Sequence, residues 1–299
     1  MKKIVDLFAG CGGLSLGFQN AGFEIVGAYE LWEPAATCYE DNFKHPVFRE
    51  DLSDVDSVVE SIRTLEPDVI IGGTPCQDFS HAGKRVEDKR AALTEAFAKI
   101  IATISPCWFV MENVDRAQKS VVYNTARTIF KNAGYGLTEV VLNASFCGVP
   151  QRRKRFFCIG SQNADDNFLL SYITQNLNTQ ETTLRDYFGD SLGFEYYYRH
   201  PRNYNRKAIY SIDEPSPAIR GMNRPVAPGY TGHENDAHKI DASIRALTTL
   251  ERALIQTFPT YYKWTGSKTA VEQMIGNAVP VKLAEFVANA LAKHIQFAL

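Results

Sequence analysis

The first half of the chain alternates short apolar, β-branched runs with segments of helical periodicity. The predicted strands are residues 3–8, 24–29, 69–72, 108–112, 137–142 and 156–159. The predicted helices between them are residues 13–21, 34–42, 53–65, 94–104 and 120–133. Such alternation is typical of a parallel sheet with crossover helices. We therefore predict an open, doubly wound, mostly parallel α/β sheet that binds ligands at the carboxyl ends of its strands.

The pattern changes beyond Gly160. Residues 162–241 lose the alternation and become rich in Asn, Tyr, Pro and Gly. Helical periodicity returns over 242–257 and again over 281–296. We expect two lobes, a large one built from residues 1–160 and 242–299 and a small, irregular, β-containing one from 161–241.

Charge limits how the protein could bind nucleic acid. The 299 residues carry 32 Lys and Arg against 34 Asp and Glu, which excludes a uniformly basic surface. Between Tyr196 and Tyr230, however, six Lys and Arg stand against two acids, interleaved with Tyr and Asn. This composition is typical of a surface that contacts phosphates and base edges, although ordinary polar loops share it. Arg220, Asn223 and Arg224 are our candidates for base contacts.

The six cysteines form no CxxC pair and no Cys/His cluster at zinc spacing, so we expect no metal and a reduced, cytoplasmic protein. The first ten residues are interrupted by Asp6 and followed by glycines, which fits neither a signal peptide nor a membrane span. No role in metal binding is assigned to any of the six histidines.

Two strand ends resemble parts of a cofactor site. The strand 4–8 runs into Ala9-Gly10-Cys11-Gly12-Gly13, where glycines let the backbone approach a ligand. The spacing is not the dinucleotide GxGxxG, and a generic turn of this fold is an equal alternative. Glu30 ends the second strand about 20 residues later, where a carboxylate can bind a ribose or simply be solvated.

Two other strand ends carry residues suited to catalysis. Cys76 follows Gly72-Gly73-Thr74-Pro75 after an apolar strand. Most cysteines are buried as small apolar side chains, but this placement favours a role as a nucleophile. Glu112 ends the apolar strand 108–111, where burial should raise the pKa of its carboxyl. A helix cap is the commoner role of a lone acid, but beside Cys76 it becomes a proton donor.

A basic run opens the last strand of the first half. In Gln151-Arg152-Arg153-Lys154-Arg155, alternation along a strand places Arg153 and Arg155 on one face. Two guanidinium groups there could converge on a polar group or a phosphate. A solvated edge strand is the alternative.

In this order, the segments resemble the motifs of the bacterial DNA (cytosine-5) methyltransferases of restriction-modification systems. The matching segments are DLFAGCGG (6–13), PCQ (75–77), ENV (112–114), QRRKR (151–155), the stretch 245–259 and GNAVP (276–280). The match covers both ends of the chain and spares the middle. Six motifs in the order of the family are far more specific than any one of them.

The resemblance implies a covalent mechanism on a cytosine. The Cys76 thiolate would add to C6, and Glu112 would donate a proton to N3. Arg153 would orient the base at O2, and Arg155 would hold the cysteine loop or a phosphate. Because C5 and C6 are stacked inside a duplex, the cytosine must be flipped out.

The resemblance also implies S-adenosyl-L-methionine as the methyl donor, with S-adenosyl-L-homocysteine as the product and no metal. Its implied site consists of Phe8, Ala9, Gly10, Cys11, Gly12, Gly13, Glu30, Leu31, Asp51, Leu52, Asn277 and Ala278. Leu31 stands where many members place an aromatic residue, and Trp32 follows it.

Residues 78–93 are basic and poor in apolar side chains, which suggests a lid that closes over the flipped base, with a solvated loop as the alternative. Gln77, Ser80, Lys84 and Arg85 are the expected DNA contacts there. We expect a monomer that acts on double-stranded DNA at the nucleoid in the cytoplasm, alongside a cognate restriction endonuclease and without a membrane. Methylation of transfer RNA, a catalytically silent DNA-binding homologue and a dehydrogenase remain as alternatives.

Overall fold

A computed structural model describes residues 1–75, 84–201, 203 and 205–298 of the chain. A seven-stranded sheet forms its centre. The strands of this sheet are β1 (Lys3–Leu7), β2 (Glu24–Tyr29), β3 (Val47–Phe48), β4 (Val69–Gly73), β5 (Trp108–Val114), β6 (Tyr135–Asn143) and, after the short β7 (Gln151–Arg152), β8 (Lys154–Gln162). Their order is β3-β2-β1-β4-β5-β8-β6, and β8 runs antiparallel to all the other strands of the sheet, which are parallel to one another. The predicted mostly parallel sheet is confirmed.

Helices cover both faces of this sheet. They are α1 (Gly13–Asn20), α2 (Glu33–Glu40), α3 (Val55–Arg63), α4 (Lys84–Ile104), α5 (Val121–Asn132), α6 (Leu170–Gln175), α7 (Leu184–Phe188), α8 (Thr249–Ile255), α9 (Lys268–Asn277) and α10 (Val281–Ala298). Successive residues of β1 belong to opposite cores, with Ile4 facing α1 and α10 and Val5 facing α3 and α4. This alternation is why the central strands read as nearly continuous apolar runs.

The order of the strands reverses between β1 and β4, which opens a crevice at their carboxyl ends. Leu7 of β1 pairs with Gly72 of β4, and Gly73 pairs with Glu112 of β5. The turn after β1, the end of β4 and the acid of β5 therefore share one edge of the sheet.

The predicted helix over 242–257 is wrong in its first half. Helix α8 begins only at Thr249, because Thr248 caps it: the Thr248 hydroxyl accepts from the Glu251 amide, and the Glu251 carboxylate accepts from the Thr248 amide. Helix α9 was not predicted at all, and the Ser267 hydroxyl caps it.

The irregular middle of the chain contains short elements, as its sequence suggests. Strands β9 (Tyr196–Tyr198) and β10 (Ile209–Ser211) form an antiparallel pair, and β11 (Ser216–Pro217) pairs with β7. Leu169 and Ile173, which follow Gly160, pack in the same core as α10. Within the described ranges, no helix is long and apolar enough to cross a membrane.

Candidate active site

The turn after β1 depends on three residues with left-handed backbone conformation. Phe8 has φ 58°, Gly10 φ 56° and Gly12 φ 85°. A phenylalanine in this region is strained, which is most often seen at functional sites. The Gly12 amide donates to the Ala9 carbonyl (2.9 Å), so β1 ends abruptly and α1 begins at Gly13.

Glu30 ties this turn to the end of β2. One carboxylate oxygen accepts from the Gly10 amide (2.7 Å) and the other from the Trp32 amide (2.7 Å). Burial raises the pKa of Glu30, and these two amides oppose that shift. Each oxygen keeps a second lone pair for a ligand hydroxyl. Beside it, the apolar Leu31 side chain is 58% exposed.

The other wall of the turn comes from the far end of the chain. A Cβ added at Gly13 would lie 2.3 Å from the Val279 carbonyl oxygen, so only glycine fits. The Tyr262 hydroxyl donates to the Cys11 carbonyl, and the Cys11 thiol lies 3.7 Å from the Met274 carbonyl. The end of α9 is thereby fixed against the turn, with Asn277 exposed and Ala278 half-buried.

Two further predicted cofactor residues follow β3. Asp51 is exposed, and one of its oxygens accepts from the Ser53 amide (2.9 Å), while Leu52 is buried. No atom lies within 4 Å of a Cβ built on Gly10. Open space at a glycine turn, an acid with spare lone pairs and the exposed Leu31 together fit a ligand of nucleoside type.

Glu112 lies buried beside a guanidinium group. Arg155 Nε is 2.8 Å from Glu112 Oε1, and the glycine opposite, Gly73, leaves room for the carboxyl, since a Cβ there would be 3.3 Å from Oε2. Burial raises the pKa of Glu112, whereas the charges of Arg155 and Arg153 oppose the shift. The carboxyl is therefore desolvated and held in place, as a proton donor requires.

Asn113 links this acid to the strand that leads to Cys76. Its side-chain amide donates to the Thr74 hydroxyl (2.9 Å), and both groups are buried. Thr74 and Pro75 follow β4 and are the last described residues before Cys76. The predicted residues Cys76, Gln77 and Ser80 lie outside the described residues, while the backbone of Lys84 and Arg85 begins α4.

Arg153 and Arg155 both lie near Glu112, but they have different partners. Arg153 is 3% exposed and donates to the Ile219 carbonyl (2.9 Å) and the Gly276 carbonyl (2.8 Å). The geometry therefore places Arg155, rather than Arg153, directly beside the acid. Arg153 instead joins the basic run to Ile219 and to the end of α9.

Several residues that hold the site together were not among the predicted site residues. The Gln151 amide donates to Gln256 Oε1 (2.8 Å) and accepts from the Ile219 amide (2.8 Å). Arg252 and Glu272 form a buried ion pair between α8 and α9. Only the motif positions of Gln151 and Gln256 could have pointed to this buried network.

The three candidate base-contacting residues lie on one segment, which we call the recognition segment (219–224). The Arg220 guanidinium donates to the His200 carbonyl (2.8 Å), and the Asn223 amide donates to the Leu247 carbonyl (2.7 Å). Arg224 is exposed. Within the described ranges, no group of three or more His, Cys, Asp or Glu is placed to hold a metal ion.

The doubly wound sheet has a glycine turn and a ribose-type acid at its switch point. A buried acid and an arginine lie next to them. This combination defines an α/β group-transfer enzyme with a nucleoside-containing cofactor. Residues 2–293 match the model of the C-5 cytosine-specific DNA methylase family, and the chain belongs to that family. It is a DNA cytosine-5 methyltransferase, as the motifs predict.

Two relatives match along nearly the whole chain. It is 54% identical to the Type II methyltransferase M.HindV of Haemophilus influenzae, over 97% of this chain and 96% of the relative. It is 53% identical to the Type II methyltransferase M.HgiDI of Herpetosiphon aurantiacus, over 98% of this chain and 95% of the relative. In fold it is similar to the S. pombe Dnmt2 methyltransferase, with a TM-score of 0.73, 17% identity and 99% of both chains covered.

Proposed function

We propose that the chain methylates C5 of a flipped-out cytosine in a short double-stranded DNA sequence, through a covalent bond from Cys76 to C6. The observation that supports this mechanism is the buried Glu112 carboxyl beside Arg155, joined through Asn113 to the strand that leads to Cys76. The Type II methyltransferases that it resembles support DNA, rather than transfer RNA, as the substrate.

The chemistry follows from the weak nucleophilicity of cytosine C5. Addition of the Cys76 thiolate to C6 places electron density on C5, which then accepts the methyl group. Glu112 donates a proton to N3 and relieves the charge that develops on the ring, while Arg155 holds Glu112 in place and Arg153 orients the base at O2. Loss of the C5 proton and departure of the Cys76 sulfur restore the aromatic ring.

S-adenosyl-L-methionine supplies the electrophilic methyl group when it is bound. Glu30 would accept from the ribose hydroxyls, and Leu31 and Phe8 would cover the adenine, with Asp51 and Leu52 at its edge. The turn 9–13, together with Asn277 and Ala278, would hold the methionine portion. The contacts between this turn and α9 hold the two halves of that site next to each other.

We assign target recognition to the small lobe and base flipping to a lid over residues 78–93, whose part from Lys84 onward is the beginning of α4. This small lobe is the segment of residues 161–241. The names of the relatives, which are Type II methyltransferases, support a role in restriction-modification. We further propose that the chain acts in the cytoplasm beside a cognate endonuclease.

DNA that contains 5-fluorocytosine tests the proposal. Fluorine on C5 cannot leave as a proton does, so the enzyme should remain bonded to the DNA through denaturing electrophoresis when the methyl donor is present. Bisulfite sequencing of DNA from cells that express the protein first identifies the target sequence.

Cys76→Ser should give no adduct and yet bind S-adenosyl-L-homocysteine as the wild type does. Cys107→Ser is the matched control, because Cys107 is an exposed cysteine at the opposite end of β5. An adduct with Cys76→Ser, or with transfer RNA but not with DNA, would refute the proposal.

A further inference from the structure

A buried acid lies at the base of the turn after β1. Asp6 of β1 is fully buried, and its Oδ2 atom accepts from the Ser15 hydroxyl of α1 (2.6 Å). This bond joins the two ends of the turn, so the carboxylate lies at its base. The other oxygen, Oδ1, is buried and has no hydrogen-bond partner among the described residues. Such atoms are rare in folded proteins, and one reason for keeping them is a functional role.

The charge of Asp6 is not balanced by a cation. Within the described ranges, neither Asp6 nor Glu30 forms an ion pair. The neighbours of Asp6 on the adjacent strands, Ala28 and Ile71, are apolar. Burial raises the pKa of Asp6 to about 7, the Ser15 hydroxyl opposes that shift, and the charge of Glu30 adds to it. Two acids without a cation favour a positively charged ligand at this turn.

A chain of hydrogen bonds connects Asp6 to a half-buried histidine. The Ser15 and Tyr39 hydroxyl oxygens are 2.6 Å apart, and the Tyr39 oxygen is 2.8 Å from His45 Nε2. Burial lowers the pKa of His45 to about 4, so its ring is neutral and carries one N–H. Each hydroxyl has a single proton to donate. Because Ser15 donates to the ionised Asp6, Tyr39 donates to Ser15 and His45 Nε2 donates to Tyr39.

We propose that Asp6 is a specificity-determining residue, whose charge beneath the turn favours the methyl donor over the product. S-adenosyl-L-methionine carries a positive charge on its sulfur, and S-adenosyl-L-homocysteine, which remains after the methyl group has left, does not. A cation at the turn favours the ionised form of Asp6, so donor binding releases a proton from it. Loss of the methyl group lets that proton return. The inference rests on the proposed function, which supplies the identity of the cofactor.

The hydrogen-bonded chain gives this proton a path to solvent. His45 Nδ1 takes a proton from solvent, while Nε2 passes one to Tyr39, Tyr39 one to Ser15, and Ser15 one to Asp6. One proton enters at His45 and one arrives at the carboxylate, so the three groups between solvent and Asp6 keep their charge. The reverse sequence returns the proton to solvent.

The pH dependence of cofactor affinity tests the role of Asp6. Calorimetry measures the dissociation constants of S-adenosyl-L-methionine and S-adenosyl-L-homocysteine at pH 6 and pH 8, without DNA, so that no methyl transfer occurs. Asp6 passes from mostly protonated to mostly ionised over this range, so the preference of the wild type for the donor should rise by up to about tenfold. Asp6→Asn keeps an oxygen for Ser15 but has no charge, so it should lack this rise. Groups on the ligands titrate equally with both proteins, and the difference between the proteins isolates Asp6.

Asp68→Asn is the control, since Asp68 is a half-buried acid just before β4, at the opposite edge of the sheet from the turn. Its preference should rise as that of the wild type does. An equal rise in the wild type and in Asp6→Asn would overturn the proposal. If neither ligand binds to the wild type at either pH, the cofactor of the proposed function is wrong, and the inference falls with it.

Tyr39→Phe separates the charge of Asp6 from the packing around it. Phenylalanine keeps the stacking on Phe43 (ring centroids 4.2 Å apart) but removes the hydroxyl that donates to Ser15. The ionised carboxylate then loses support, so the midpoint of the rise in preference should move to higher pH. A change in packing alone would not move this midpoint. A midpoint equal to that of the wild type would contradict the proposal, even if Asp6→Asn did not fold.

Discussion

Glu272→Gln isolates the charge of one buried ion pair. Glu272 and Arg252 are 4% and 3% exposed, and they join α9 to α8 below the recognition segment. Glu272 Oε1 also accepts from the Thr249 hydroxyl (2.7 Å) and lies 3.3 Å from the Asn223 amide nitrogen. Glutamine keeps an oxygen for these contacts, so the substitution removes the charge and little else.

The expected cost is large because it leaves the Arg252 charge buried without its partner. Removing one member of a buried pair costs ~3–5 kcal/mol, whereas replacing both members is often nearly neutral. The double variant Arg252→Met/Glu272→Gln should therefore be more stable than Glu272→Gln alone. At about 2–4 °C per kcal/mol, the single variant should lose on the order of 10 °C in Tm.

Urea unfolding followed by circular dichroism measures this free energy, provided that the slope m stays constant. Glu60→Gln is the control, since Glu60 pairs with Arg63 at the surface and its loss should cost less than about 1 kcal/mol. The reasoning fails if Glu272→Gln costs no more than Glu60→Gln. It also fails if the free-energy cost of the double variant equals the sum of the costs of Glu272→Gln alone and Arg252→Met alone.

Three further variants test the site. Because the protonated form of Glu112 is the donor and burial raises its pKa, methyl transfer should decline as pH rises through that pKa; Glu112→Gln should be slow and lose this decline in a pH–rate profile. Asn113→Ala leaves the Thr74 hydroxyl buried without its partner, so we expect a loss of ~1–3 kcal/mol in unfolding free energy and slower adduct formation with unchanged binding of S-adenosyl-L-homocysteine. Gly13→Ala forces the turn away from the Val279 carbonyl at a cost of ~1–3 kcal/mol, so calorimetry should show weaker binding of S-adenosyl-L-homocysteine while DNA affinity without cofactor is kept.

The central strands could be predicted from the sequence because strands that are buried on both faces appear as continuous apolar runs. β1, β4 and β5 are apolar on both faces, so their runs are short, β-branched and unmistakable. Strand β3 is only Val47–Phe48, too short to form a pattern. Helix α9 follows a polar stretch and buries few apolar side chains, although its cap, Ser267, is a signal that could have indicated it.

The roles of the two arginines could not be predicted from spacing. We treated residues 151–155 as one strand, in which Arg153 and Arg155 share a face. The structure breaks that strand between β7 and β8 at Arg153, so the two side chains meet different partners. The Arg252–Glu272 pair joins two residues 20 positions apart in sequence on different helices, and no local pattern relates them.

The contacts that close the turn after β1 span 251 residues, from Cys11 to Tyr262, and 263 residues, from Cys11 to Met274. During synthesis, the first strand and its glycines leave the ribosome long before their partners exist. A nascent chain therefore cannot complete its cofactor pocket until α9 has emerged. Truncated products of translation should be inert toward the genome rather than partly active.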